Sequence, residues 1–259
     1  MRIELARHAL EVESSGAPPP DFLCLHGLAD TRRIWSGIAP GLATRGRVET
    51  IDQRGHGGSG APPGPYRRED LAADAISVLD RLGVPRAVLV GHSMGGIVAM
   101  TAALAFPERV AALVLLGTAS ECNARAARWY DEIAEAAEAR GLDGLREAIF
   151  GVRSRRTLEG DAAAIAGVTR CLRSLHDDPL TPRLREVRCP VLLLVGSKDP
   201  MGAGASAILS RAFPSATLEV VPERGHWLHV ECPETVLAAI DRFVSTHAAV
   251  LGNRGASRV

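Results

Sequence analysis

The chain has 259 residues, a length that suits one domain with an insertion or at most two domains. Hydrophobic residues make up 46% of the chain and charged residues 23%, the composition of an ordinary globular protein. Because 30 basic residues balance 30 acidic ones, the charge gives no reason to expect nucleic acid or an anionic membrane as a partner.

The start of the chain and the cysteines indicate where the protein works. The first residues, MRIELARHALEVESSG, alternate in charge and contain no apolar core segment, so we expect no signal peptide. No apolar run approaches the length of about 18 residues that a membrane span needs. The five cysteines are widely spaced, without C-x-x-C or Cys/His ligand spacing. We therefore expect reduced thiols, no metal site and a cytoplasmic protein.

Short apolar runs alternate with helical patterns along the chain. The segment before residue 21, which ends in APPP, predicts a β-hairpin at a sheet edge. Six later runs predict buried strands: DFLCLHG (21–27), VETID (48–52), AVLVGHS (87–93), VAALVLLG (110–117), PVLLLVGSKD (190–199) and ATLEVVP (216–222). Their continuous apolar character is typical of a mostly parallel sheet covered by helices on both faces. Helical spacing at 71–82 and 236–243 predicts two of those helices, and the fold class is α/β.

The alternation stops between residues 119 and 182. Three apolar stripes at helical spacing, in 129–140, 142–150 and 165–175, predict three helices there. The segment is too long for a simple loop between two strands, so we expect a helical cap. The domains are then a first core part (1–118), the cap (119–182) and a second core part (183–248). The last residues, 249–259, are expected to form a disordered tail.

Ser93 lies in the sequence GHSMGGI between the strand AVLV and the helical run MGGIVAMTAALAFP, which Pro107 ends. The spacing G-x-S-x-G is weak evidence by itself, but a strand before it and a helix after it are the context of a nucleophile elbow. Small residues at Gly91 and Gly95 are a steric need of such a sharp turn. We predict that Ser93 is a catalytic nucleophile at the carboxyl edge of the sheet.

A serine nucleophile needs a base, and the base needs an acid to orient it. His226 is the best candidate base because it follows the last predicted strand, with His229 as the alternative. Asp199 is the best candidate acid because it ends a strand upstream of His226, with Glu121 as the competitor. The order Ser93, Asp199, His226 is the order that this elbow requires.

Two backbone N–H groups are expected to hold the oxyanion. One belongs to Met94, the residue after the nucleophile, and the other to Leu28, which follows the strand ending in His26. Gly27 lets the backbone approach a substrate closely. We also expect Gly27, Trp129 and Trp227 to contact the substrate.

Together these motifs resemble the α/β-hydrolase fold superfamily. The matching segments are HGL (26–28), DQRGHGGS (52–59), GHSMGG (91–96), GSKD (196–199) and GHW (225–227). The resemblance implies an eight-stranded sheet, a helical cap after the sixth strand and a catalytic set of Ser93, His226 and Asp199. Serine rather than aspartate at the nucleophile position argues against the epoxide-hydrolase and haloalkane-dehalogenase branches.

The short chain and compact cap are also similar to 3-oxoadipate enol-lactonases and related small carboxylesterases. We expect a cofactor-free serine hydrolase of a small ester or lactone that works through an acyl-enzyme. The alternatives are a C–C bond hydrolase, an acyltransferase or perhydrolase, and a non-catalytic ligand receptor. Cap arginines could meet a substrate carboxylate or form solvated helix faces, and the sequence leaves both open: Arg125, Arg128, Arg153, Arg155 and Arg156.

Overall fold

The computed structural model describes residues 1–251, except for the side chain of residue 203. It contains an eight-stranded sheet in the order β1-β2-β4-β3-β5-β6-β7-β8. The strands are β1 (Arg2–Glu4), β2 (Ala9–Ser15), β3 (Asp21–Leu25), β4 (Arg47–Ile51), β5 (Ala87–His92), β6 (Val110–Leu116), β7 (Val191–Gly196) and β8 (Ala216–Val221). All six strands predicted after the hairpin are present.

Pairing in the sheet is antiparallel at one edge and parallel elsewhere. Strands β1 and β2 form the predicted hairpin, and β2 runs antiparallel to β4. Every further pair, from β4 with β3 to β7 with β8, is parallel. The predicted α/β fold with a mostly parallel eight-stranded sheet is therefore confirmed. Parallel strands bring their carboxyl ends to one edge, where the loops after β3, β5, β7 and β8 meet.

Helices cover both faces of this sheet. They are α1 (Ala39–Ala43), α2 (Arg68–Arg81), α3 (Met94–Ala105), α4 (Ala124–Phe150), α5 (Ala162–Arg173), α6 (Gly202–Ala212), α7 (Leu228–Glu231), α8 (Pro233–Thr246) and α9 (Ala248–Leu251). In β5, Leu89 belongs to the apolar cluster formed with α2 and α3, whereas Val88 and Val90 belong to the cluster formed with α1 and α8. Successive residues thus serve opposite cores, which explains why the strand is apolar throughout.

The insertion between β6 and β7 contains the three predicted helical stretches. Helix α4 is interrupted at Arg140 and Gly141, where Gly141 has a φ of 62°, so its two halves behave as separate helices. Helix α5 packs against α4 through a small apolar core that includes Ile133, Leu145 and Ile165. Ala29, which follows β3, belongs to the same apolar cluster and joins the insertion to the sheet.

The sequence analysis placed the start of the C-terminal tail, at residue 249, too early in the chain. Helix α9 extends to Leu251, whose side chain is buried in the core shared with α8. Residues 249–251 thus belong to a helix that packs on this core. The rest of the expected tail, 252–259, lies outside the described residues. In residues 1–251, no helix combines the length and the apolar character needed to cross a membrane.

Candidate active site

Ser93 forms the turn between β5 and α3. Its φ of 51° and ψ of −115° lie where non-glycine residues are rare, at a cost of about 1–3 kcal/mol. Its N–H donates to the carbonyl oxygen of Leu116 at 2.9 Å, and Thr118 Oγ1 donates to the carbonyl oxygen of Ser93 at 2.7 Å. These bonds fix the turn, and the side chain stays half-buried while its neighbours are buried. This is the backbone geometry of a nucleophile elbow.

The glycines on either side of Ser93 are required by close packing. A Cβ on Gly91 would lie 2.5 Å from the carbonyl oxygen of Gly95. A Cβ on Gly95 would lie 2.0 Å from the carbonyl oxygen of Leu25 in β3. A side chain at either position would push α3 away from the sheet, so the predicted steric need is confirmed.

His226 and Asp199 come together at the carboxyl ends of β7 and β8. Nδ1 of His226 lies 2.9 Å from Oδ2 of Asp199, and both side chains are buried. The other carboxylate oxygen of Asp199 accepts from the N–H of Met201 at 2.9 Å. A Cβ on Gly117 would lie 2.8 Å from Oδ2 of Asp199 and 3.0 Å from Nδ1 of His226, so only glycine fits beside the pair. With Nδ1 donating to a carboxylate, Nε2 of His226 is left as an acceptor.

Ser93 and His226 line one cavity of about 470 Å³. Within residues 1–251, the side chain of Ser93 makes no hydrogen bond to His226 in this structure. Serine–base contacts are often long in enzymes without substrate, so the shared cavity is the more informative observation. The arrangement suits proton transfer from Ser93 to Nε2 once a substrate fills the cavity.

The structure separates the two alternative residues from this cavity. Glu121 is exposed and lines a neighbouring cavity, with no hydrogen bond to His226 in the described part of the chain. His229 is buried behind the site, 4.6 Å from the Trp35 ring. Burial and then His226 lower the pKa of His229 to about 3, which makes it a poor base at neutral pH. The geometry therefore favours Asp199 and His226 for the acid and the base.

The predicted oxyanion donors also line the cavity. Met94 begins α3 and Leu28 follows β3, and both residues are among its walls. Across residues 1–251, neither backbone N–H donates to another backbone group in the turns and loops. A Cβ on Gly27 would lie 2.8 Å from Nδ1 of His92 and 3.3 Å from a carboxylate oxygen of Asp30. Glycine is thus needed there for packing.

The insertion contributes four residues to the cavity wall, Trp129, Tyr130, Ile149 and Leu172. Trp129 and Trp227 line the cavity, in the positions predicted for substrate contacts. Sequence reasoning did not single out the remaining apolar wall residues, which are Tyr130, Ile149, Leu172, Pro200 and Met201. The helical spacing at Ile149 and Leu172 predicted amphipathic helices of the insertion, and the structure shows that both residues also face the cavity.

Asp30 is a further cavity residue that the sequence analysis did not identify. It lies two residues after Leu28, and its side chain is buried. Burial raises its pKa from the ordinary value of 3.8 to about 6, although Arg156, a hydrogen bond from Trp227 and His226 all act in the opposite direction. Its place just after a strand, beside the predicted oxyanion donor, was the one available signal.

The cap arginines have different surroundings. Arg125 and Arg128 are exposed at the edge of a neighbouring cavity of about 840 Å³, and Arg153 and Arg155 are exposed as well. Arg156 is also exposed, but it places its guanidinium 4.5 Å from the centre of the Phe150 ring and 4.6 Å from that of Trp227. Arg156 therefore packs behind Trp227, which lines the cavity that contains Ser93. In residues 1–251, no group of three or more His, Cys, Asp or Glu side chains has the arrangement of a metal site.

Comparison with known proteins finds a matching family model and similar proteins of comparable length. A family model described as the alpha/beta hydrolase family matches residues 22–239. The chain is 31% identical to 3-oxoadipate enol-lactonase 2 of Acinetobacter baylyi over 87% of this chain and 88% of that protein. It is 29% identical to 2-(acetamidomethylene)succinate hydrolase of Mesorhizobium japonicum over 94% of both.

A solved structure extends the comparison to the fold. The thermophilic esterase of Thermogutta terrifontis superposes with a TM-score of 0.83 at 26% identity, covering 95% of this chain and 98% of that one. The similarity therefore includes the insertion as well as the sheet.

Proposed function

The chain belongs to the alpha/beta hydrolase family and is a hydrolase, and we propose that it cleaves a small carboxylic ester or lactone through an acyl-enzyme formed on Ser93. The observation that carries this proposal is the convergence at one cavity. Ser93 lies on a strained turn in its wall, and His226, which is hydrogen-bonded to Asp199, lies in the same wall.

In the first step, Oγ of Ser93 attacks the carbonyl carbon and Nε2 of His226 takes the serine proton. Asp199 accepts from Nδ1 of His226, which holds the ring in the tautomer that leaves Nε2 free and stabilises the imidazolium that forms. The backbone N–H groups of Leu28 and Met94 would donate to the oxyanion of the tetrahedral intermediate. Loss of one such donor typically costs about 10²- to 10³-fold in turnover.

In the second step, the imidazolium of His226 gives its proton to the leaving alkoxide, and the acyl group stays on Ser93. A water molecule then gives its proton to His226 and attacks the acyl carbonyl, which regenerates the serine and releases the acid. In a lactone the leaving alkoxide is tethered to the acyl group, so a single hydroxy acid is released.

The preference for a small acyl group rests on the cavity. Its volume of about 470 Å³ is in the range of small-molecule sites, and its walls include Trp129, Ile149 and Leu172 from the insertion. We propose that residues 119–182 act as a cap that excludes water and selects the substrate. The names of an enol-lactonase and an esterase among the similar proteins support ester or lactone substrates.

Turnover of a panel of aryl esters and lactones tests the proposal. Ser93→Ala should leave a folded protein, by melting temperature, with kcat/KM lower by roughly 10⁴-fold or more. Ser120→Ala is the matched control, because Ser120 lines the neighbouring cavity and its hydroxyl pairs with Thr181 instead. A Ser93→Ala protein that keeps a tenth of the wild-type activity would overturn the assignment.

A further inference from the structure

Asp30 occupies an unusual position for a carboxylate. It is 8% exposed, it lines the catalytic cavity, and its N–H donates to the carbonyl oxygen of Gly27 at 3.2 Å. It therefore belongs to the turn that carries the proposed oxyanion donor Leu28. A buried carboxylate is costly unless its partners compensate for the loss of water, so those partners indicate what it does.

The partners of Asp30 come from two other segments of the site. Nε1 of Trp227, the residue after the proposed base, donates to Oδ2 at 3.4 Å. The guanidinium of Arg156, from the insertion, lies 3.5 Å from Oδ1. One carboxylate thus joins the turn after β3, the loop that carries His226 and the insertion.

Arg156 extends this connection to the cavity wall. Its guanidinium stacks on Trp227 and on Phe150, whose rings are 6.1 Å apart. Phe150 ends α4, and the preceding residue, Ile149, lines the cavity together with Trp227. The Asp30–Arg156 pair is therefore connected, through the stacked rings, to both the end of α4 and the loop of the proposed base.

We propose that Asp30 and Arg156 are positioning residues that hold the insertion against the His226 loop and thereby set how well the site accepts long relative to short acyl groups. This inference rests on the proposed function. The pair shapes the wall formed by Ile149 and Trp227 and takes no part in bond making.

Charge is the property that distinguishes this role from simple packing. An asparagine could still accept from Trp227, but only a carboxylate attracts Arg156 as an ion. The charged and titratable groups that face Asp30 are Arg156, His226 and His92, whose Nδ1 is 3.9 Å away. The raised pKa of Asp30, about 6, means that mild acid neutralises the carboxyl and weakens the pair.

The test compares inactivation rates by a long-alkyl and a short-alkyl fluorophosphonate from pH 5 to pH 8. The effect of His226 protonation on the two inactivation rates cancels in their ratio, because both reagents need the same neutral base. In the wild type we expect the long-to-short ratio to fall by roughly three- to tenfold as the pH drops through the titration of Asp30. In Arg156→Gln and Asp30→Asn the ratio should be low and independent of pH, and the double variant should match either single one.

The exposed neighbour Arg155 gives the matched control, and Arg155→Gln should retain the wild-type ratio and its pH dependence. A wild-type ratio that does not change with pH would overturn the inference, and so would an Arg156→Gln protein whose ratio matches the wild type. A double variant whose ratio is lowered by the product of the two single effects would also overturn it. If Asp30→Asn does not fold, the ratio measured for Arg156→Gln tests the inference by itself, because Arg156 is partly exposed and its replacement should not prevent folding. A wild type that neither reagent inactivates would instead contradict the proposed function.

Discussion

Nε2 of His92, the residue before Ser93, lies 3.1 Å from the carbonyl oxygen of His226. Burial, followed by the nearby His229 and His226, holds the pKa of His92 well below its ordinary value, so the ring is neutral at neutral pH. A carbonyl oxygen only accepts, so Nε2–H of His92 must donate. The elbow therefore holds the backbone of the proposed base as well as carrying the proposed nucleophile.

Removal of this donor should reduce turnover without removing any group that reacts. In His92→Leu the carbonyl of His226 loses its partner, and a shift of the loop should lower kcat by about tenfold to a hundredfold. His92→Gln, which keeps an N–H donor, should recover much of this loss. Steady-state kinetics on one aryl ester checks both variants, and equal activity in the two would show that the hydrogen bond does not matter.

The acid assignment predicts unequal effects at two carboxylates. Asp199→Asn should lower kcat by about 10⁴-fold, because an amide acceptor no longer favours the imidazolium or the correct tautomer. Glu121→Gln should stay within about threefold of the wild type, because an exposed side chain outside the cavity that contains Ser93 contributes little. A larger loss of kcat in Glu121→Gln than in Asp199→Asn would show that Glu121, in the segment after β6, is the catalytic acid.

The sequence determined most of the fold because its signals are local. Continuous apolar runs marked the buried strands, and the glycines around Ser93 marked the elbow. The role of Asp30 depends instead on Arg156 and Trp227, which are 126 and 197 positions away. No periodicity or spacing near Asp30 contains that information. The start of the tail was misjudged for a similar reason, because burial of Leu251 depends on a core formed by earlier segments.

The ionisation of Asp30 should also make the free energy of unfolding depend on pH. Its folded pKa of about 6 lies above the ordinary value of 3.8, so between these values the folded state binds more protons than the unfolded state. The contribution of this group is therefore fully present below about pH 4 and is lost as the pH rises to about 6, a total of about 3 kcal/mol.

Asp30→Asn should remove this dependence and make the protein more stable than the wild type above pH 6. Urea unfolding of both proteins at pH 4 and pH 8 measures the difference. The same loss of stability with rising pH in the variant would mean that another group is responsible.

Trp129 should affect the choice of substrate more than the chemistry. Its half-buried side chain lines the cavity, so Trp129→Ala should change the ratio of kcat/KM between bulky and small esters by about 1–3 kcal/mol. Inactivation by a short-alkyl phosphonate should stay close to the wild-type rate. An equal loss on all esters and on the phosphonate would indicate that Trp129 is part of the structural core.

Direct detection of the acyl group tests the central claim, acylation of Ser93. Trypsin is expected to release the peptide AVLVGHSMGGIVAMTAALAFPER, residues 87–109, in which Ser93 is the only serine. Acid quenching of the wild type during turnover of an activated aryl ester, followed by digestion and mass spectrometry, should show this peptide with the mass of the acyl group added at Ser93. The adduct should be absent from Ser93→Ala. An adduct on a different residue, or one that persists in Ser93→Ala, would contradict the account.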